Sequence, residues 1–424
     1  MLSAVIGERL FPFIFVTIQN TNIIMFIKWQ WHLKMRKPQL LVKKRDIIDF
    51  AYCFIWGFYV LINELNYTLL VDQSSFSTWV QVSRYTAIIV LLLLTLFNNT
   101  IPLRYGILVS IVVPLTIYAT RTIYSLPIIV LVLFIVCAQQ ANFKHVVFTS
   151  LVAQLIVLAL CLLGVFTGTV SDLVYTAEEG RIRHSLGYNY ATYISKVFLF
   201  CLCYYFFLRK KVSLFEVIIF EGLNYLIFKY TNTRTVFYLA SIFILAIYLV
   251  KRFNISDIKQ PLKSLLVFVY PICAVFSFWI NRMYSSDPAK WNFLNLNNRL
   301  LMGKNALLEY GINLRGTNIM WVGMTAYTRN NLLTYNYVDN SYLYVLITYG
   351  VIFFSILMLF EIIIMQYAIH EKNFTLITIL AMLAGYFIIE SQIIDLAYNP
   401  FILLAGYSFS NTIRRRKKVG SIKL

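Results

Sequence analysis

Hydrophobic and polar positions along this chain come in blocks. Apolar runs long enough to cross the roughly 30 Å hydrocarbon core of a bilayer follow one another, separated by short polar connections. The runs are continuous rather than alternating with period two, which predicts helices instead of a barrel, because backbone in hydrocarbon must satisfy its hydrogen bonds internally. About twelve such helices are expected, at 47–65, 79–97, 105–120, 124–140, 146–166, 191–208, 212–230, 235–250, 264–280, 341–369, 374–389 and 400–413. The expected fold class is therefore all-α and multi-pass. Residues 47–280 carry the first nine helices and 341–413 the last three, flanked by an amino-terminal segment, 1–46, and a basic tail, 414–424. The stretch 11–27 is apolar but interrupted by Gln19, Asn20 and Asn22. With its basic cluster after it rather than before it, and no small-residue cleavage site, it reads as an interfacial or extra segment and not a cleavable signal.

One long polar block breaks the series. Residues 281–340 lie between apolar runs and carry Arg282, Arg299, Arg315, Arg329, Asp287, Glu309 and Asp339. Within it, 300–310 is free of proline, and Leu300, Leu301, Leu307 and Leu308 are spaced to form an amphipathic helix facing the membrane surface. A shorter polar segment occupies 167–190.

Composition and charge sharpen this picture. Hydrophobic residues make up 60% of the chain and charged residues 13%, with mean hydropathy +0.72, against roughly 25% charged in an average soluble domain. The net charge of +19 resides mostly in clusters at 34–45, 209–211, 251–263 and 414–418, between the apolar runs. Setting the first cluster on the cytoplasmic side puts all four there by alternation, and places both polar blocks on the opposite face. The charge thus reflects membrane orientation, and no nucleic-acid partner is expected. Both main termini are expected on the cytoplasmic side. Cys53, Cys137, Cys161, Cys201, Cys203 and Cys273 all lie in apolar runs without a CxxC pair, the pattern of packing cysteines. His32, His145, His184 and His370 form no HExxH or other ligand spacing, and no glycine-rich phosphate loop is present, so neither a zinc ion nor a nucleotide cofactor is expected.

Arginines on the non-cytoplasmic face run against the orientation rule. Arg121, Arg181, Arg183, Arg234, Arg282, Arg299, Arg315 and Arg329 make up that set. A guanidinium is a planar fork of donors that matches phosphate oxygens, so an anionic lipid headgroup or pyrophosphate accounts for it. Snorkelling, or local pairing such as Arg181 with Glu178 or Glu179, is the structural alternative. Carboxylates on the same face are Asp72, Asp172, Glu178, Glu179, Asp287, Glu309, Asp339, Glu390 and Asp395. Asp339 stands out as a general base because it sits where the block re-enters the apolar region; it would serve equally as the N-cap of the next helix. Arg84, Lys196, Glu216, Glu221 and Glu361 interrupt apolar runs and are expected to face a cavity or each other, a pattern that also suits a transporter.

Three blocks add a family likeness. Arg183-His184-Ser185-Leu186-Gly187-Tyr188 is similar to an R-x-S-L-G-[FY] run, and Thr231-Asn232-Thr233-Arg234 to T-x-S-R at the start of a helix, with Thr233 in place of Ser. The third runs from Asn298-Arg299 through Ala306-Leu307 and Leu314-Arg315-Gly316 to Val338-Asp339-Asn340-Ser341-Tyr342-Leu343 and Tyr349-Gly350, without the aromatic expected after the arginine, where Met302 and Gly303 stand. Together they resemble the Wzy-type O-antigen and capsule polysaccharide polymerases, relatives of the O-antigen ligases. The likeness covers about the carboxy-terminal half. It implies a fold like the C-type glycosyltransferases, a polyprenyl-pyrophosphate-linked oligosaccharide as substrate, and a flippase and chain-length regulator as pathway partners. By the same likeness Asp339, Arg299 and Arg234 are the expected catalytic residues, and Arg181, Arg183, His184, Arg315, Asn340 and Tyr342 the expected substrate contacts. Ligases of the superfamily commonly carry His where this chain has Asp339, which favours a polymerase. An O-antigen-type ligase, a flippase or secondary transporter, and a structural partner in envelope assembly remain the other readings.

Overall fold

The computed structural model describes residues 38–97, 103–120, 123, 125–177, 180–253, 258–284, 297–323 and 335–408. The chain divides into two units, 1–48 and 49–424; in the first, the described part is the start of helix α1. The molecule is 75% helical. The helices are α1 (Pro38–Leu65), α2 (Gln73–Phe97), α3 (Leu103–Thr120), α4 (Leu126–Cys137), α5 (Phe143–Thr167), α6 (Thr192–Leu208) and α7 (Leu214–Thr231). They continue with α8 (Arg234–Arg252), α9 (Gln260–Val267), α10 (Val269–Met283), α11 (Asn297–Tyr310), α12 (Ser341–His370) and α13 (Phe374–Tyr386), before a 3-10 turn at Pro400–Leu403.

Five helices are long and apolar enough to cross a membrane, or six if the bent pair α9 and α10 counts as one. That pair corrects the single helix expected at 264–280: the chain bends by 58° at Phe268. Helices α4, α6 and α13 are apolar but shorter, and the expected helix at 400–413 is a 3-10 turn that passes into helix through 408, its remainder outside the described residues. The all-α expectation also misses one element, a hairpin in the 167–190 segment. Strands β1 (Val174–Ala177) and β2 (Arg181–His184) pair antiparallel with Tyr175 opposite Arg183.

Local chemistry explains where helices start and stop. Asn142 caps α5 by accepting from the Lys144 amide at 3.1 Å, and Gly168, at φ 74°, ends it in the left-handed conformation that glycine adopts without penalty. Ser213 and Glu216 form a capping box at the start of α7. Glu216, expected within an apolar run, therefore sits at a helix end, where Arg209 pairs with it at 3.0 Å.

Helix α6 is the most enclosed of the shorter helices, packing against α5, α7, α8 and α13. On one side Trp56 donates to Ser150 at 2.8 Å and packs edge-on to Phe134. On another, the irregular segment 387–399 threads into the interior instead of continuing α13. Gln154 holds it through the Ala397 carbonyl at 2.7 Å, and the Tyr204 hydroxyl through that of Tyr398. Buried backbone must find partners, and these polar side chains from α5 and α6 supply them. The segment carries Glu390 into the core, 2% exposed.

Helix α12 begins beside it. The Ser341 hydroxyl donates to the Glu390 carbonyl at 2.6 Å and the Tyr342 hydroxyl to that of Ala384 at 2.8 Å. Gly350 breaks the helix at φ 80°, ψ 170°, and the freed backbone receives the polar block: Val351 N–H reaches the Asn313 carbonyl at 2.9 Å and Thr317 N–H the Thr348 carbonyl at 3.0 Å. Helix α11 packs on α10 and α12. This corrects the expected membrane-facing surface. Leu300 is buried against Ile280 and Tyr284, and Leu307 packs on the cluster of Ala306, Val338, Leu343 and Ile347, while Leu308 is left 75% exposed.

Candidate functional site

Four charges meet where α6, α11, the start of α12 and the 387–399 segment converge. Lys196, in the second turn of α6, places Nζ 2.5 Å from Glu390 Oε2. Arg299, in the first turn of α11, brings Nη2 to 3.0 Å from the other oxygen, Oε1. Its Nε lies 3.6 Å from Asp339 Oδ2. The result is a ladder of alternating sign: Lys196, Glu390, Arg299, Asp339.

The ladder is graded in accessibility. Side-chain exposure is 9% at Lys196 and 2% at Glu390, then 27% at both Arg299 and Asp339. Charges this enclosed persist only when paired, because removing each from water costs several kcal/mol. The inner pair is held by direct hydrogen-bonded contacts, whereas 3.6 Å between Arg299 and Asp339 is an electrostatic contact too long for a hydrogen bond. Asp339 thus keeps acceptor capacity, and the nearby Tyr335 hydroxyl favours its charged form.

Burial pushes the Asp339 carboxyl above the ordinary aspartate range against the pull of Arg299, and the nearby Glu390 adds to the rise. At Glu390 burial also opposes the charge, but Lys196 and Arg299 outweigh it and hold the carboxyl below its usual value. The proton affinities of two neighbouring carboxylates are driven apart in this way.

Helix start and base candidate are separate residues. Asn340, and not Asp339, caps α12: its Oδ1 accepts from the Leu343 amide at 3.1 Å and its Nδ2 donates to the Ile388 carbonyl at 2.7 Å. Tyr342, expected to touch substrate, is 1% exposed and bonded into the core through Ala384.

A second cationic group forms at the α7–α8 junction. Arg183, from β2, donates through Nε to the Thr231 carbonyl at 2.9 Å, through Nη1 to the Tyr190 hydroxyl at 3.2 Å and through Nη2 to Thr233 Oγ1 at 3.2 Å. Thr233 is the residue before α8 and makes no side-chain cap to it. The first amides of α8 therefore lack a side-chain cap beside exposed Arg234, a disposition that suits an anion.

The remaining expected residues go elsewhere. His184 Nδ1 lies 2.6 Å from Asp172 Oδ2, whose other oxygen accepts from the Leu186 amide, so this pair braces the hairpin. Arg181 is half-buried at the hairpin end, opposite Ala177. Arg315 stacks over the Tyr118 ring at 4.0 Å, beside the Gly350 break, and is no part of the ladder. Glu309 is exposed on α11. Arg121, Glu178, Glu179, Asp287 and Arg329 lie outside the described residues.

Lys196 and Glu390 had signalled themselves in the sequence only as charges within or beside apolar runs; their pairing across the chain had no local signature. Among the described residues no cluster of three or more metal-ligating side chains occurs. No family model, curated protein or solved structure matches the chain.

Proposed function

We propose that this protein is a membrane glycosyltransferase of the polysaccharide-polymerase type, transferring a growing glycan from polyprenyl pyrophosphate to a lipid-linked repeat unit. The observation that carries this reading is the charge ladder ending at Asp339, a carboxyl of raised proton affinity, in a fold that also holds a separate cationic junction at Arg183 and Arg234. Glycosyl transfer from an activated lipid needs those two parts. A hydroxyl of the incoming sugar attacks the anomeric carbon as the bond from that carbon to the pyrophosphate oxygen breaks. The hydroxyl proton passes to Asp339, and the pyrophosphate leaves carrying the bonding electron pair.

Charge develops on the leaving group, so donors placed there favour the transition state over the ground state. Arg183, Arg234 and the α8 amides take that role, with Arg299 both steering Asp339 and adding positive charge beside it. The leaving group is already activated, and the proposed step needs no nucleotide. In this reading about twelve helices cross a bacterial cytoplasmic membrane. The 281–340 block is non-cytoplasmic, and the flippase and chain-length regulator of the same pathway are neighbours.

Broken helices at Phe268 and Gly350 favour a transporter as the second reading, since discontinuous helices often form transport sites. Variants separate the two. Arg299→Ala and Asp339→Asn are expected to abolish polymer, seen as loss of the glycan ladder on gels, while lipid-linked repeat units accumulate on the non-cytoplasmic leaflet. Arg299→Lys should recover only part of the activity, because a point charge lacks the bidentate fork. Accumulation on the cytoplasmic leaflet instead assigns transport.

A further inference from the structure

Lys196 occupies an expensive position. It stands in an apolar helix between Ile194 and Val197–Phe198–Leu199, with its ammonium 5.1 Å over the Tyr193 ring and its side chain 9% exposed. Glu390, its partner, is more enclosed still and links Lys196 to the more accessible pair of Arg299 and Asp339. The Lys196 charge acts on Asp339 directly, lowering the carboxyl's proton affinity, and also through Glu390 and Arg299, which link the two.

The geometry defines that influence. Glu390 has two oxygens and gives one to each cation, Oε2 to Lys196 and Oε1 to Arg299. Its carbonyl is fixed by Ser341, two residues beyond Asp339, so Glu390 cannot drift away from the start of α12. Arg299 carries a planar fork of donors that pairs best with both oxygens of one carboxylate. With Lys196 on one of those oxygens, Arg299 meets Glu390 through the Nη2 to Oε1 contact at 3.0 Å. Arg299 then keeps its Nε turned to Asp339 at 3.6 Å.

We infer that Lys196 is a positioning residue: by engaging one oxygen of Glu390 it keeps the Arg299 guanidinium shared between Glu390 and Asp339, and so holds Asp339 ready as a proton acceptor. Without the lysine charge, Arg299 closes on Glu390 and Asp339 loses both a near and a more distant cation. Among the described residues, the groups in electrostatic reach of Asp339 are Arg299 on α11, Lys196 and Tyr193 on α6, Glu390 after α13, Tyr386 on α13, and Tyr335 and Tyr337 on its own segment. Only Arg299, Lys196 and Glu390 among them carry formal charge, and the lysine is the one whose removal leaves the other two able to pair fully.

The test uses the full-length protein in lipid nanodiscs and follows Asp339 directly, through the pH dependence of its modification by dicyclohexylcarbodiimide, which reacts with protonated carboxyls. Peptide mass spectrometry gives the midpoint. In Lys196→Met the midpoint is expected to rise by on the order of one pH unit, a tenfold change in proton affinity, and in Lys196→Arg to stay near wild type. Lys196→Met/Glu390→Gln frees Arg299 for Asp339 and should bring the midpoint to wild type or below. This double variant leaves no unpaired carboxylate, so it decides the matter if the single variant fails to accumulate: a midpoint above wild type overturns the inference. An unmoved midpoint in folded Lys196→Met overturns it as well.

The activity arm rests on the polymerase reading. There the acid limb of the pH–rate profile should move up with the labelling midpoint in Lys196→Met, with activity regained at higher pH, whereas equal loss at every pH marks a merely structural lysine. A displaced midpoint with no glycan extension by the wild type overturns the polymerase reading and leaves the positioning role standing.

Discussion

Asp339 and Asn340 divide between them two tasks that either residue type can perform. Asn340 satisfies the first amides of α12 and ties them to Ile388, which frees Asp339 to face Arg299 and Tyr335. Sequence could offer Asp339 both as cap and as base because carboxylate and amide oxygens cap helices equally well; only the direction of the two side chains separates them. The cost of the arrangement appears in stability. Asp339 has its folded-state proton affinity raised above the unfolded value, so its stabilising contribution is complete below the ordinary aspartate range and is lost as pH rises through the folded value. Asp339→Asn removes that loss. Thermal denaturation at pH 8 should find the variant as stable as wild type or more so, with the difference shrinking as the pH is lowered toward 4. A variant markedly less stable at pH 8 gives Asp339 a structural role instead.

Helices α11 and α12 show what a pattern can and cannot convey. The apolar spacing of Leu300, Leu301, Leu307 and Leu308 specifies a helix, and α11 is there; it does not specify the surface that receives the helix. A leucine stripe fits a bilayer or a protein groove, and Leu300 found Ile280 and Tyr284. Arg299 follows from that docking, since burial of Leu300 fixes the turn that carries it. Gly350 was visible as the end of the third block, and nothing in the pattern marked it as a break in the helix. At φ 80° it adopts a backbone conformation that L-residues resist, and a Cβ there would lie 2.4 Å from the Arg315 carbonyl carbon. Gly350→Ala must therefore straighten α12 or expel the 313–317 segment. The expected result is faster proteolysis within the polar block, with lost activity and α12 otherwise intact; an unchanged digestion pattern contradicts the docking role of Gly350.

At the scale of the whole molecule, blocks of hydropathy located nearly every described helix, because exclusion of charge from hydrocarbon acts on each segment separately. What they missed depends on contacts between distant segments. The 387–399 chain follows an apolar helix and is itself rich in apolar residues, yet it forms no helix, since Gln154, Tyr204 and Ser341 satisfy its backbone. The same holds for Lys196 and Glu390, far apart in sequence and 2.5 Å apart in the fold. Topology follows from charge rather than from packing and has its own check: reporters fused within the 281–340 block are expected to report a non-cytoplasmic location, and a cytoplasmic signal there removes the polymerase reading.

Glycan extension by the purified protein is decisive. Wild type in nanodiscs, given one lipid-linked repeat unit and neither nucleotide sugar nor ATP, is expected to lengthen it into a ladder of multiples and release polyprenyl pyrophosphate in equal number to the linkages formed. Asp339→Asn and Arg299→Ala, folded by the same chromatographic criteria, should give no ladder. Failure of wild type to extend any polyprenyl-pyrophosphate-linked unit from its native host, or extension by Asp339→Asn at the wild-type rate, contradicts a proton-accepting Asp339 in a polysaccharide polymerase.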